Sequence, residues 1–162
     1  MAVDGGNRMW IGTANSGLYL IEDDTITVAH FTEDNSLLPS NGIQSITIVP
    51  TTGEVFVGTD KGIASYRSDA SEAQKDMSGA YAYPNPVRPE YGGNIAITGL
   101  MENTIVNIVD AAGNLVCKTK SHGGTAIWDG KLWDGRRATA GVYTALCNAE
   151  GGHTVVKILV IR

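Results

Sequence analysis

Very few side chains in this sequence could do chemistry, and their spacing argues against most of what they could do. The histidines are His30, His122 and His153, and no two stand at a ligand spacing such as H-x-x-x-H. Each reads as a strand or turn residue. Asp23-Asp24 could suggest calcium, but no EF-hand pattern surrounds the pair, so a solvated turn is the simpler reading. Asp129 and Asp134 could serve as paired carboxylates, yet each precedes a glycine, and turn capping accounts for both. The sequence has no G-x-S-x-G elbow and no phosphate-binding P-loop. No catalytic constellation, metal site or cofactor site is expected, and the chain reads as a non-enzyme. The only cysteines, Cys117 and Cys147, are expected on inward faces of strands as free thiols, with a disulfide as the alternative.

What remains is binding chemistry. Arg88, Lys118, Lys120, Lys131, Arg136 and Arg137 give the second half of the chain a positive balance. Arg136-Arg137 could contact an anionic glycan or lipid headgroup, against the plainer reading of a solvated strand edge. Among the tryptophans, Trp10 is expected as packing, and Trp133, in a turn-rich segment, is the best placed for a surface role such as stacking on a sugar.

The elements that would hold these residues are strands. The 162 residues are 43% hydrophobic and 18% charged, a profile of a folded chain, with 20 glycines against 5 prolines. Helical periodicity is absent almost throughout. Short β-branched runs, such as 43–49, 104–109, 142–147 and 155–161, alternate with Gly, Asn and Asp turns, which predicts an all-β fold. No apolar run approaches the ~20 residues of a membrane-spanning helix. The net charge of −5 offers no basic surplus for nucleic acid. It is unevenly spread: residues 1–79 carry net −7 and residues 80–162 net +2. Between the halves, 68–79 is small and polar and reads as a linker, so the expected domains are 1–67 and 80–162.

The first half contains a repeat. Trp10-Ile11-Gly12-Thr13, followed by Gly17-Leu18, returns as Phe56-Val57-Gly58-Thr59, followed by Gly62-Ile63. A period in the mid-forties with several strands per unit is the signature of a β-propeller blade. The aromatic should pack against the neighbouring blade, and Gly12 and Gly58 should permit close strand approach. With Leu38-Pro39-Ser40-Asn41 leading into the next blade, the pattern resembles the two-component regulator propeller repeat over about residues 1–67. Phe56 and Val57 depart mildly from it. About one and a half blades are present, whereas a propeller needs several, so the chain is expected to be the C-terminal piece of a longer protein. Residues 43–67 are expected to be the last blade, lacking its closing strand, and this open edge predicts self-association.

The second half opens with Tyr83-Pro84-Asn85-Pro86, whose prolines enforce an extended entry. Strands are expected at 94–98, 104–109, 115–120, 125–128, 142–147 and 154–161, with the turn-rich segment Trp128-Asp129-Gly130 to Asp134-Gly135-Arg136-Arg137 between them. The Tyr-Pro-Asn-Pro motif, the Asp110 to Gly113 turn, Gly141-Val142-Tyr143 and the terminal run from Lys157 to Arg162 together resemble the C-terminal domains carried by cargo and components of type IX secretion. The Trp128 to Arg136 stretch also resembles the immunoglobulin-like domain of flagellar hook-capping proteins. The resemblance implies an immunoglobulin-like β-sandwich. A propeller followed by such a domain is similar to surface components of type IX secretion. That implies a non-enzymatic role at the outer membrane surface or outside the cell, with a signal peptide upstream. The implied partners are secretion-system proteins, cargo or an anionic lipopolysaccharide. The alternatives are a secreted cargo protein whose terminal domain is a sorting signal and whose propeller binds glycan or protein, and a two-component sensor ectodomain. The ending at Arg162 is expected to be natural and speaks against the sensor.

Overall fold

The computed structural model describes residues 1–22 and 26–161, so Asp23-Asp24 and Arg162 lie outside the described residues. Every regular element described is a strand, and the fold is all-β. The chain forms two compact units, Met1–Glu72 and Ala73–Arg162.

The first unit is two antiparallel meanders and a short terminal strand. In the first meander, β1 (Ala2–Val3), β2 (Met9–Gly12), β3 (Leu18–Glu22) and β4 (Ile26–Phe31) pair in chain order. In the second, β5 (Ile43–Val49), β6 (Glu54–Thr59) and β7 (Gly62–Arg67) do the same, and β8 (Ala70–Ser71) follows. Alternation along the strands sends Trp10, Leu18 and Leu20 of the first sheet and Val55 and Val57 of the second into one buried cluster. Each of these apolar side chains contributes about 1.5–3 kcal/mol on burial. Trp10 stacks on Phe31 at 6.0 Å and meets Tyr66 of the second sheet at 5.6 Å. Gly12 is required by this packing, because a Cβ there would lie 2.4 Å from the Ile43 side chain.

The same unit closes on a buried charge cluster. Arg8 is buried and donates through Nε and Nη2 to Asp4, through Nη2 to Ser68, and lies 2.7 Å from Asp69. Trp10 Nε1 donates to the same Asp4 oxygen at 3.0 Å. Burial works against the Arg8 charge, but the hydrogen bonds and charges of Asp69 and Asp4 outweigh it and raise the pKa above its usual value.

The second unit is a two-sheet sandwich. Its strands are β9 (Tyr81–Tyr83), β10 (Ile95–Thr98), β11 (Ile105–Val109), β12 (Leu115–Lys120), β13 (His122–Gly123), β14 (Thr125–Trp128), β15 (Gly141–Ala149) and β16 (Gly152–Val160). One sheet runs β13-β14-β10-β9 and the other β12-β11-β15-β16. Ile95, Ile97, Ala126 and Trp128 from the first face Val106, Ile108, Tyr143, Ala145 and Ile158 from the second in a single core. The β15–β16 hairpin is longer than the sequence suggests. Its pairs continue to Ala149↔Gly152 around Glu150-Gly151, with Gly151 at φ 93°.

Residues 68–79, expected as a connector, divide between the units. Ser68, Ala70 and Ser71 are buried, Ser68 Oγ accepts from Arg8, and the Glu72 N–H donates to the Pro50 carbonyl. Met77 is buried in the core of the second. Small side chains here permit close backbone packing: a Cβ on Gly5 would lie 2.1 Å from the Ser71 backbone.

Cys117 and Cys147 are both free. Cys117 pairs with Ile108 and Cys147 with Val106, so β11 runs between them. Two strand spacings of about 4.8 Å exceed the reach of a disulfide. Burial pushes the Cys147 thiol up to about 11. Burial, and then the Asp129 charge, also raises Cys117.

Candidate functional site

The segment joining β14 to β15 folds on itself as a small hairpin, with a bridge between Lys131 and Arg137. Gly130 and Gly135 take positive φ, 72° and 80°, at its two turns. Asp129 accepts the Lys131 N–H at 3.0 Å and pairs with its ammonium at 3.4 Å. Asp134 accepts the Arg136 N–H at 3.0 Å and both Nε and Nη2 of its guanidinium at 2.6 Å. The Arg136 side chain, then its backbone N–H, lowers the Asp134 pKa, and Arg136 is raised in return. Each carboxylate is thus engaged in its own turn.

This geometry sorts the three residues expected to contact an anion or glycan. Arg136 is exposed, but its charge is matched by Asp134. Arg137 reaches the Tyr91 carbonyl with Nη2 at 3.3 Å. The recess beside it, lined by Val87, Tyr91, Asp129 and Ala138, holds about 10 Å³, room for a water and little else. Trp133 is 66% exposed, and its Nε1 donates to the Leu115 carbonyl at 3.1 Å, which fixes the indole at the β12 edge. Trp128, the last residue of β14, is fully buried. Its Nε1 donates to the Lys131 carbonyl and its ring meets Tyr143 at 5.2 Å.

The Tyr83-Pro84-Asn85-Pro86 motif serves the edge of β16. Both X-Pro bonds are cis, and neither proline has an N–H to pair with a strand. The Asn85 side chain supplies what the backbone lacks. Its Nδ2 donates to the Lys157 carbonyl and its Oδ1 accepts the Leu159 N–H, both at 2.9 Å. Val87 then continues the pairing: its N–H donates to the Leu159 carbonyl and its carbonyl accepts the Ile161 N–H. Asn85 therefore acts as a surrogate strand residue between two prolines that cannot donate. Gly141 pairs with Val160, and the Tyr143 hydroxyl donates to the Thr139 carbonyl at 3.2 Å.

The repeat residues of the first unit are equally local. Thr13 Oγ1 donates to the Gly17 carbonyl and accepts the Ser16 N–H. Thr59 Oγ1 does the same with Gly62 and Lys61. A Cβ on Gly58 would lie 2.3 Å from Ser45 Oγ. The Asp4–Arg8–Asp69 cluster had no sequence reading of its own. Its one signal was Asp and Arg four apart, two residues before the repeat's tryptophan. Elsewhere, an open cleft of about 270 Å³ lies among Lys75, Asp76, Met77, Met101 and His153, and Asp76 there bonds to Ser78. Among the described residues no three His, Cys, Asp or Glu side chains are grouped to hold a metal ion.

No family model matches the chain. No curated protein matches it either. Solved structures do. The chain is similar to PorZ of Porphyromonas gingivalis, described as an essential bacterial surface component of the type IX secretion system, with 33% identity and a TM-score of 0.64. The match covers 99% of this chain and 22% of that one, so the chain spans about a fifth of the length of the protein it resembles.

Proposed function

We propose that this chain is part of a cell-surface component of type IX secretion that works by docking, not by catalysis. The observation that carries the reading is the likeness to PorZ along nearly the whole chain, 33% identity over 99% of its residues. An all-β fold whose polar side chains are engaged in turns and edges supports recognition rather than group transfer.

At a finer level, the partner is a secretion-system protein, a cargo or an anionic lipopolysaccharide. For an anionic ligand the contact would run through Trp133 and Arg137, because Asp134 already matches the Arg136 charge. Self-association would run along β7, which has a strand partner on one side only among the described residues.

Fractionation of the producing cell, blotted with an antibody to residues 81–162, tests the reading. Full-sized protein at the outer surface is the expected result. A free domain of that size, apart from the rest, would identify a removable sorting signal and a cargo protein instead. Protein confined to the cytoplasm would overturn both.

A further inference from the structure

The solvent face of the β12-β11-β15-β16 sheet can be laid out row by row from the strand register. Lys120, Ile105, Asn148 and His153 form the first row, and Lys118, Asn107, Leu146 and Val155 the second. Leu115, Val109, Thr144 and Lys157 form the third, and Val142 and Leu159 the fourth. The burial pattern puts the alternate residues of these strands, Val106, Ile108, Ala145, Cys147 and Ile158, inward.

Two features set this face apart. The first is its apolar content. Val142, Val155, Leu159 and Leu115 are large and exposed, Val155 at 56%, and Ile105, Val109 and Leu146 lie among them half-covered. The outward face of a solvated antiparallel sheet is ordinarily polar, and a contiguous apolar patch marks an interaction surface. The second is its charge. Lys118 and Lys120 stand on one edge strand and Lys157 on the other, and no Asp or Glu occurs in any row. The cations share the two edge strands with Leu115, Val155 and Leu159, and the inner strands add Ile105, Val109, Val142 and Leu146.

We infer that this face docks a protein partner whose own surface is apolar and carries acidic side chains opposite the two edge strands. Charge complementarity selects the acid, since three lysines without a carboxylate attract and orient such a surface. The central polar side chains select a protein over a lipid. Asn107, Asn148 and Thr144 sit between the apolar residues, and burying them needs hydrogen-bond partners that acyl chains lack. Trp133, held at the β12 edge, adds an exposed aromatic of the kind that anchors interfaces.

The inference deepens the docking reading above and rests on it. Its test reads contact, whereas fractionation reads location, so either can fail alone. The photocrosslinker p-benzoylphenylalanine is placed at Val155 of the full-length protein in its producing cell, with Tyr81 on the other sheet as control. The expected result is a light-dependent protein adduct from position 155 and none from 81, with the crosslinked peptide rich in Asp and Glu. Changing Lys118, Lys120 and Lys157 together to Gln should reduce the adduct about tenfold, and changing them to Arg should retain it. Unchanged melting of the Gln variant shows that the loss is one of contact. No adduct at 155, equal adducts at both positions, an adduct indifferent to the lysines, an adduct to lipid, or an adduct to the same protein would each overturn the proposal.

Discussion

Trp10 and Phe56 hold the same position in a repeated pattern, as do Leu18 and Ile63, and Leu20 and Ser65. In the first blade all three are buried against the second sheet. In the second blade Phe56 is 39% exposed, Ile63 is 76% exposed, and the third position is a serine open to solvent. The strands are alike, and so are the turns, down to the paired hydrogen bonds of Thr13 and Thr59. What differs is the neighbour. The face carrying Trp10 meets Tyr66, whereas among the described residues the face carrying Phe56 meets no further sheet. A repeat unit specifies its own backbone, but its hydrophobic stabilisation comes from the unit beside it.

A pair of variants tests this difference in burial. Trp10→Ala should cost about 3–5 kcal/mol in denaturant unfolding of this chain, because it empties a fully packed site and deprives Asp4 of a donor. Phe56→Ala should cost under about 1 kcal/mol, the range of a surface change. Equal costs would mean that the two blades are not distinguished by burial.

The charge cluster sharpens the same contrast, since Glu54 stands in the second blade where Arg8 stands in the first. Arg8→Ala leaves the Asp4 carboxylate buried without its cation and should cost about 3–4 kcal/mol, toward the lower part of the range because Asp69 is partly exposed. Replacing Asp4 and Arg8 together by apolar residues should recover part of that loss. A loss below 1 kcal/mol for Arg8→Ala would show that the cluster does not hold the blade.

In the second unit the corresponding device is neutral. Asn85→Ala removes two hydrogen bonds from the β16 edge and should cost about 1–2 kcal/mol, with faster amide exchange at Leu159. Exchange unchanged at Leu159 would remove Asn85 from that role.

The smallest effect is one of pH. The folded Cys147 thiol titrates at about 11, above the 9.0 of an ordinary thiol. The unfolded chain therefore ionises first, and the stability this group contributes is present below about pH 9 and lost as pH rises toward 11. Denaturant unfolding at pH 8 and at pH 10.5 should show the decline, and Cys147→Ala should flatten it. The raised pKa also predicts slow alkylation of Cys147 at pH 8 until the chain unfolds.

Much of this was legible in the residues. Alternating β-branched runs and glycine turns announced an all-β chain, and the strands at 115–120 and 125–128 stand where those runs place them. The blade repeat could be read because its glycines and threonines are fixed by local geometry. The pairing of Asp134 with Arg136 could also have been read, since the two are adjacent within one turn.

Three features were not legible in the same way. Residues 68–79 look like a tether because they are small and polar, yet small size is also what lets the Gly5 and Ser71 backbones approach. Asn85 looks like a break between prolines until β16, more than seventy residues later, is brought beside it. The apolar face with its edge-strand lysines does not exist in any single strand; the register of four strands assembles it. Strands, turns and the repeat follow from φ/ψ preferences and alternation, which act over a few residues. Which of two equivalent positions is buried, which carboxylate meets Arg8 and which side chains share a face follow only from the folded arrangement, because burial and charge pairing depend on neighbours distant in the chain.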